Sequence, residues 1–261
     1  MRIGLATLMV GCVMSGTTLA AVKTETISYE HEGVKLKGFL AYDDAIKGKR
    51  PGVLIVHEWW GLNDYARKRA EMLAEMGYVA MAVDMYGEGK TTEHPKEAAQ
   101  MSGEVRKNLD TWLGRAQAGL KVLQSQPQVD SSKIAAIGYC FGGSTALQLA
   151  QHGAPLAAVV SFHGALPIPT LEEAKSIKGK VLVCHGADDS FIPAEKIAQF
   201  RSVYDMAKVP YTFTAYPGAE HSFTVPGADA KMLKGMKYDE KADRASWKAM
   251  SDLFKQVFAD S

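Results

Sequence analysis

Gly138-Tyr139-Cys140-Phe141-Gly142-Gly143 follows a short apolar run, residues 133–137, and precedes a helix-like run, residues 144–151. Strand, then a nucleophile flanked by glycines, then helix is the local order of a nucleophile elbow. The glycines are a steric requirement. A side chain at the tip of so tight a turn points into a cleft only if its neighbours two positions away leave room for the helix to pass close by. The tip residue here is Cys140. The start of a helix favours a thiolate and offers unpaired N–H groups to an oxyanion. The plainer reading of the same six residues is a small buried cysteine in a Gly-rich turn that packs a helix against a sheet.

Outward from this stretch the chain alternates strand-like and helix-like runs. Residues 26–30 and 36–42 read as an antiparallel edge pair joined around Gly33. Residues 53–56, Val-Leu-Ile-Val, form the continuous apolar run of a strand buried on both faces. Residues 63–76 carry apolar side chains at helical spacing and stop at Gly77, and residues 78–83 form the next strand. A single helical stretch is expected over 96–125, with Leu109, Trp112, Leu113, Ala116, Leu120 and Leu123 on one stripe. Strands at 157–161, 180–184 and 211–215 and helices at 194–207 and 240–258 complete the alternation. Such a pattern predicts an α/β fold, a mostly parallel central sheet with helices on both faces. Active residues in these sheets lie beyond the carboxyl ends of the strands.

That rule selects the remaining candidates. The strand at 180–184 is followed by His185-Gly186-Ala187-Asp188-Asp189, and the strand at 211–215 by Gly218-Ala219-Glu220-His221. Nucleophile, acid, then histidine is the chain order of an α/β-hydrolase triad, which Cys140, Asp189 and His221 satisfy. Asp188 competes with Asp189 for the acid role. An Asp in a Gly/Asp turn is most often a turn or capping residue, so the signal lies in the order and placement of all three. Glu58 ends the buried 53–56 strand, where an unpaired carboxylate is costly, so a polar partner is expected. One such partner is Arg67 or Arg69 on the following helix.

Composition sets the outer bounds. At 261 residues with 47% hydrophobic residues, the chain can bury the core of one α/β domain. Outside residues 1–20, whose only charge is Arg2, basic and acidic residues balance, which gives no support to nucleic-acid or anionic-membrane binding. Residues 1–20 read as an export signal with cleavage after Ala20, leaving 21–261 as a single domain in the periplasm or outside the cell. The apolar stretch 3–14 is too short to span a bilayer, and lipoprotein processing at Cys12 is the weaker alternative. The mature chain then holds two cysteines, Cys140 and Cys184, in a compartment that favours disulfides. Their pairing is the reading most damaging to a catalytic Cys140. No pair of histidines has ligand spacing on one helix, so neither a metal nor another cofactor is expected.

Four segments together resemble the dienelactone hydrolase family of α/β-hydrolases: His57-Glu58-Trp59-Trp60-Gly61-Leu62-Asn63, the Cys140 hexapeptide, Asp189-Ser190-Phe191-Ile192-Pro193 and Gly218-Ala219-Glu220-His221-Ser222-Phe223. The resemblance covers about residues 30–258. It implies Cys140 as nucleophile, His221 as base, Asp189 rather than Asp188 as the group orienting His221, and Glu58 as a carboxylate that holds the thiol in the resting site. Trp59 and Phe141 are then placed to give backbone N–H groups to an oxyanion hole, and Trp60 and Tyr86 to line an apolar pocket. Two departures concern the substrate. Where dienelactone-cleaving members carry carboxylate-clamping arginines, this chain has Gly87-Glu88-Gly89 after Asp84-Met85-Tyr86, and Thr224-Val225-Pro226 after His221-Ser222-Phe223.

The expected activity is hydrolysis of small carboxylic esters or lactones through a thioester acyl-enzyme, by a monomer or weak dimer. Competing readings are a thioesterase or peptidase on the same scaffold, a binding protein with an inert hydrolase fold, and a redox protein using Cys140 and Cys184. Lids and specificity elements are expected in residues 164–178 and 224–241.

Overall fold

The computed structural model describes residues 22–231 and 233–259; the expected export signal and Cys12 lie outside the described residues. The chain opens on a hairpin, β1 (Val22–His31) and β2 (Val34–Asp43), whose two-residue turn places Glu32 and Gly33 at φ +49° and +76°. Two successive positive φ values make a turn whose twist matches that of the flanking strands. There follow β3 (Arg50–Val56), α1 (Asp64–Glu75), β4 (Val79–Val83), α2 (Pro95–Arg106) and α3 (Leu109–Gln124). The elbow region comprises β5 (Val129–Tyr139) and α4 (Phe141–Gln151). The second half holds β6 (Ala158–Phe162), α5 (Leu171–Lys175), β7 (Lys180–Gly186), α6 (Ala194–Met206), β8 (Tyr211–Tyr216) and α7 (Glu240–Ala259).

The eight strands form one sheet in the order β1-β2-β4-β3-β5-β6-β7-β8. The pairings β1–β2 and β2–β4 are antiparallel, and every pairing from β4 to β8 is parallel. From β3 the chain first adds β4 on one side and then β5 on the other, so the strand order reverses between β3 and β5. A crevice opens at such a reversal, beyond the carboxyl ends of the two strands. Glu58 follows one of them and Cys140 the other.

At its centre the sheet is buried on both faces, which is why β3 and β4 read as unbroken apolar runs. On one face Trp112, Leu113 and Leu120 of α3 and Leu147 of α4 pack over Leu54, Met81 and Ala136. On the other, Ala70 and Leu73 of α1 and Met250 and Phe254 of α7 cover Ile55, Ile137 and Val160.

The single helix expected over 96–125 is two helices. Asn108 is extended, at φ −126° and ψ 117°, and its side chain accepts from the amides of Asp110 and Thr111. An asparagine that offers its own acceptor to the free amides of a new helix breaks a periodic stretch that apolar spacing alone leaves continuous. The expected lid region 164–178 contains α5, closed by a Thr170–Glu173 capping box. Region 224–241 contains a short 3-10 turn, Ala228–Lys231.

Candidate active site

Cys140 stands between β5 and α4 with φ +53° and ψ −112°, a backbone conformation strained for any residue with a side chain. What permits it is the absence of neighbouring side chains. A Cβ on Gly138 would lie 2.0 Å from the carbonyl oxygen of Gly142, and a Cβ on Gly142 would lie 2.0 Å from that of Val56. The helix therefore starts against β3, and the sulfur is turned outward.

His221 follows β8, and its Nε2 lies 3.0 Å from Cys140 Sγ. Its Nδ1 lies 2.8 Å from Asp189 Oδ2, beyond the end of β7. Asp189 is buried and Asp188 exposed, so the two aspartates that compete in sequence separate in space. Burial pushes the His221 imidazole toward neutrality, but the electrostatic pull of the adjacent Cys140 sulfur and the hydrogen bonds to Asp189 and Cys140 outweigh it. They hold the His221 pKa well above the ordinary value of 6.5. The second cysteine does not bridge to the first: both thiols are free. Cys184 is buried beside the Tyr216 hydroxyl, and burial raises its pKa to about 12.

Glu58 is 3% exposed, and burial raises its carboxyl above the usual range, opposed by the Ser222 hydrogen bond and the His221 charge. Ser222 Oγ donates to Glu58 Oε1 at 2.9 Å. The competing reading, a salt bridge to α1, does not hold, because Arg69 is paired with Asp243 and Arg67 lies over the Phe39 ring. Nor does Glu58 hold the thiol: the sulfur's polar partner is His221.

The backbone of Trp59, the first expected oxyanion donor, is held through the peptide on each side of it. His57 Nε2 accepts the Met85 amide at 3.2 Å, which leaves Nδ1–H to donate to the Glu58 carbonyl. Burial lowers the His57 pKa to about 4, so the ring is neutral, as those two bonds require. Tyr86 Oη donates to the Trp59 carbonyl at 2.9 Å. Trp59 and Phe141 both line the cavity beside Cys140. Phe141 opens α4, where the first amides have no partner within the helix.

The cavity measures about 350 Å³. Its walls are apolar, from Trp59, Phe141, Phe191, Ile192 and Met236, and the Phe191 ring meets His221 edge-on at 5.1 Å. Trp60 and Tyr86, expected as pocket residues, do not line it. Trp60 is buried against Trp59, and Tyr86 lies beneath the cavity floor against His57 and Phe141, because an aromatic at a strand end is drawn into the core before it is left facing a cleft. His163 and His185 also sit outside the lining, and burial lowers the pKa of both. Arg106 of α2 does line it, held by bonds from Nε and Nη2 to Ser102 and stacked over Phe141. Nothing in local sequence marks Arg106, which reaches the cavity only through the packing of α2. Among the described residues no group of three or more His, Cys, Asp or Glu side chains is disposed to hold a metal ion, and no helix is long and apolar enough to cross a membrane.

A mostly parallel sheet with a strained cysteine at the β5–α4 turn and a histidine after β8 defines an α/β-hydrolase, and solved structures of that class superimpose on it. The chain belongs to the dienelactone hydrolase family, whose sequence model matches residues 36–258. It is 40% identical to the solved structure of m3DLH, with a TM-score of 0.88 over 91% of this chain and 99% of that one. It is 38% identical to a dienelactone hydrolase-like promiscuous phosphotriesterase from metagenomic libraries, with the same TM-score and coverage. A protein of Saccharolobus solfataricus named "Putative carboxymethylenebutenolidase" is 26% identical over 88% of this chain and 98% of its own length.

Proposed function

We propose that this hydrolase cleaves small carboxylic esters or lactones through a covalent thioester on Cys140. The observation that carries the reading is the contact between Cys140 Sγ and His221 Nε2 at 3.0 Å, with Asp189 at 2.8 Å on the far nitrogen of the ring. The thiol proton passes to His221 and the sulfur adds to the carbonyl carbon. The amides of Trp59 and Phe141 receive the resulting oxyanion. Imidazolium then protonates the departing alkoxide, leaving the acyl group on sulfur. A water that gives its proton to His221 attacks the thioester, and the thiol is regenerated. Thiolate is also a good leaving group, so an amide tends to expel sulfur instead of amine; esters, lactones and thioesters are the favoured class.

Cys140→Ala and Cys140→Ser are to be assayed on short p-nitrophenyl esters, with a phosphate triester included because one relative is described as a phosphotriesterase. Loss of at least a thousandfold in kcat/KM in the alanine variant is expected. Full turnover by that variant eliminates the mechanism. Export is part of the same proposal and rests on residues 1–20. The mass of the mature protein recovered from a periplasmic fraction tests it, with Ala21 expected as the first residue.

A further inference from the structure

Behind the candidate nucleophile and base runs a buried polar chain with no part in the chemistry described so far. Arg69, on α1, is the centre of it, its side chain 6% exposed. Nη2 lies 2.6 Å from Asp243 Oδ1 on α7 and donates to the Thr224 carbonyl at 2.8 Å. Nε donates to Tyr65 Oη at 3.2 Å. The hydroxyls of Tyr65 and Thr224 are 2.6 Å apart, and Thr224 Oγ1 is also 2.8 Å from His163 Nε2. Thr224 is three residues past His221, and three side chains from α1 and the end of β6 thus hold it. His163 in turn lies edge-on to the His221 ring, centroids 5.3 Å apart.

The same guanidinium reaches the nucleophile's side of the site. It lies 5.6 Å from the centre of the Tyr139 ring, and Tyr139 immediately precedes Cys140. Tyr65 and Trp247 enclose it at 5.2 and 5.0 Å. One planar cation therefore touches the chain one residue before Cys140 and three residues after His221. Stability alone does not explain an ion pair in this position. Taking both charges out of water costs about as much as their attraction returns, and apolar residues of similar volume commonly serve as well. A planar fork of donors fixes directions in a way that apolar packing does not.

We propose that Arg69, charge-balanced by Asp243, is a positioning residue that sets the distance between Cys140 and His221 through Tyr139 on one side and, on the other, through Tyr65 and the hydroxyl of Thr224. This rests on the functional reading above. Its test therefore includes a measurement independent of ester turnover, the rate of Cys140 alkylation by iodoacetamide.

The double variant Arg69→Met/Asp243→Leu removes both charges and leaves neither stranded. It is expected to unfold in urea near the wild-type midpoint, while kcat falls about ten- to a hundredfold at unchanged KM and alkylation slows in parallel. Wild-type kcat and alkylation in a folded double variant overturn the proposal. Should that protein fail to fold, the hydroxyl provides the second arm. Thr224→Val, which keeps shape but removes the bonds to Tyr65 and His163, is expected to lose kcat severalfold, and Thr224→Ser, which keeps the hydroxyl, to restore it. Equal kcat for the valine and serine variants also overturns it. If alkylation follows these expectations while Cys140→Ala still hydrolyses esters, the positioning stands and the functional reading falls.

Discussion

Ser222 donates its hydroxyl to Glu58 at 2.9 Å, joining residues 164 positions apart in the chain. Each adjoins a residue on the cavity wall, Ser222 next to His221 and Glu58 next to Trp59. Ser222 reaches the carboxylate from a backbone at φ +56°, a conformation that a non-glycine residue adopts only where its surroundings demand it.

Glu58 is an acid whose folded pKa is raised, so the native state holds its proton more tightly than the unfolded chain does. Stability is then lost as pH rises from 4.5 through the folded value. Glu58→Gln keeps an oxygen for Ser222 and cannot ionise. It should be more stable than the wild type at pH 7, with the gain disappearing toward pH 4. Urea unfolding at pH 4 and pH 7 measures this. A loss of stability in the variant that is equal at both pH values contradicts the account.

Asp189 accepts from the Phe191 amide as well as contacting His221, and Asp188 is exposed. Asp189→Asn should therefore fold normally and lose about three to four orders of magnitude in kcat, the scale seen when the orienting acid of a triad becomes an amide. Asp188→Asn should stay within about twofold of wild type. Steady-state kinetics on one ester separates the two, and the reverse ranking would assign the acid role to Asp188.

His57 titrates near 6.5 when unfolded and at about 4 in the fold, because burial disfavours its charge. The unfolded chain takes up a proton in that window and the native protein does not, so stability falls as pH drops from 6.5 to 4. One such histidine contributes a slope of about 1.4 kcal/mol per pH unit. In His57→Gln the decline should be shallower by that amount. Chemical denaturation at half-unit steps across the window provides the comparison, and parallel slopes for the two proteins rule out this origin.

Gly142 has no room for a methyl group: a Cβ would meet the Val56 carbonyl carbon at 2.5 Å and the His57 oxygen at 2.7 Å, all of it backbone. Gly142→Ala should cost about 3 kcal/mol or more, or prevent folding, since neither strand nor helix can withdraw. Gly103→Ala, in α2 with nothing near its Cβ position, should stabilise by a few tenths to 1 kcal/mol. Thermal melts of the pair test the contrast.

The alternation of apolar runs and the spacing of glycines were sufficient to place β3, β4, β6 and β7, because a strand buried on both faces is predominantly apolar. The elbow was legible for a related reason: only glycines admit the helix so close to β3, and that constraint is local. Where a residue capped its own helix, as Asn108 does, the apolar stripe misled, since a periodic pattern records which face is buried and not whether the backbone is continuous. The candidate triad was legible as an order along the chain, Cys140, Asp189, His221, because a parallel sheet delivers all its strand ends to one side.

The tertiary structure alone decided which groups touch. Glu58 meets Ser222 instead of an α1 arginine, since Arg69 is already bound to Asp243 across the interface with α7, and such a partner lies 174 positions away. Trp60 and Tyr86 turn into the core while Arg106 and Phe191 border the cavity. Sequence determined what had to be buried and where the chain had to bend, for those follow from solvation and from the space around each backbone atom. The direction of each side chain depended on contacts between distant segments, which exist only once the sheet has brought them together.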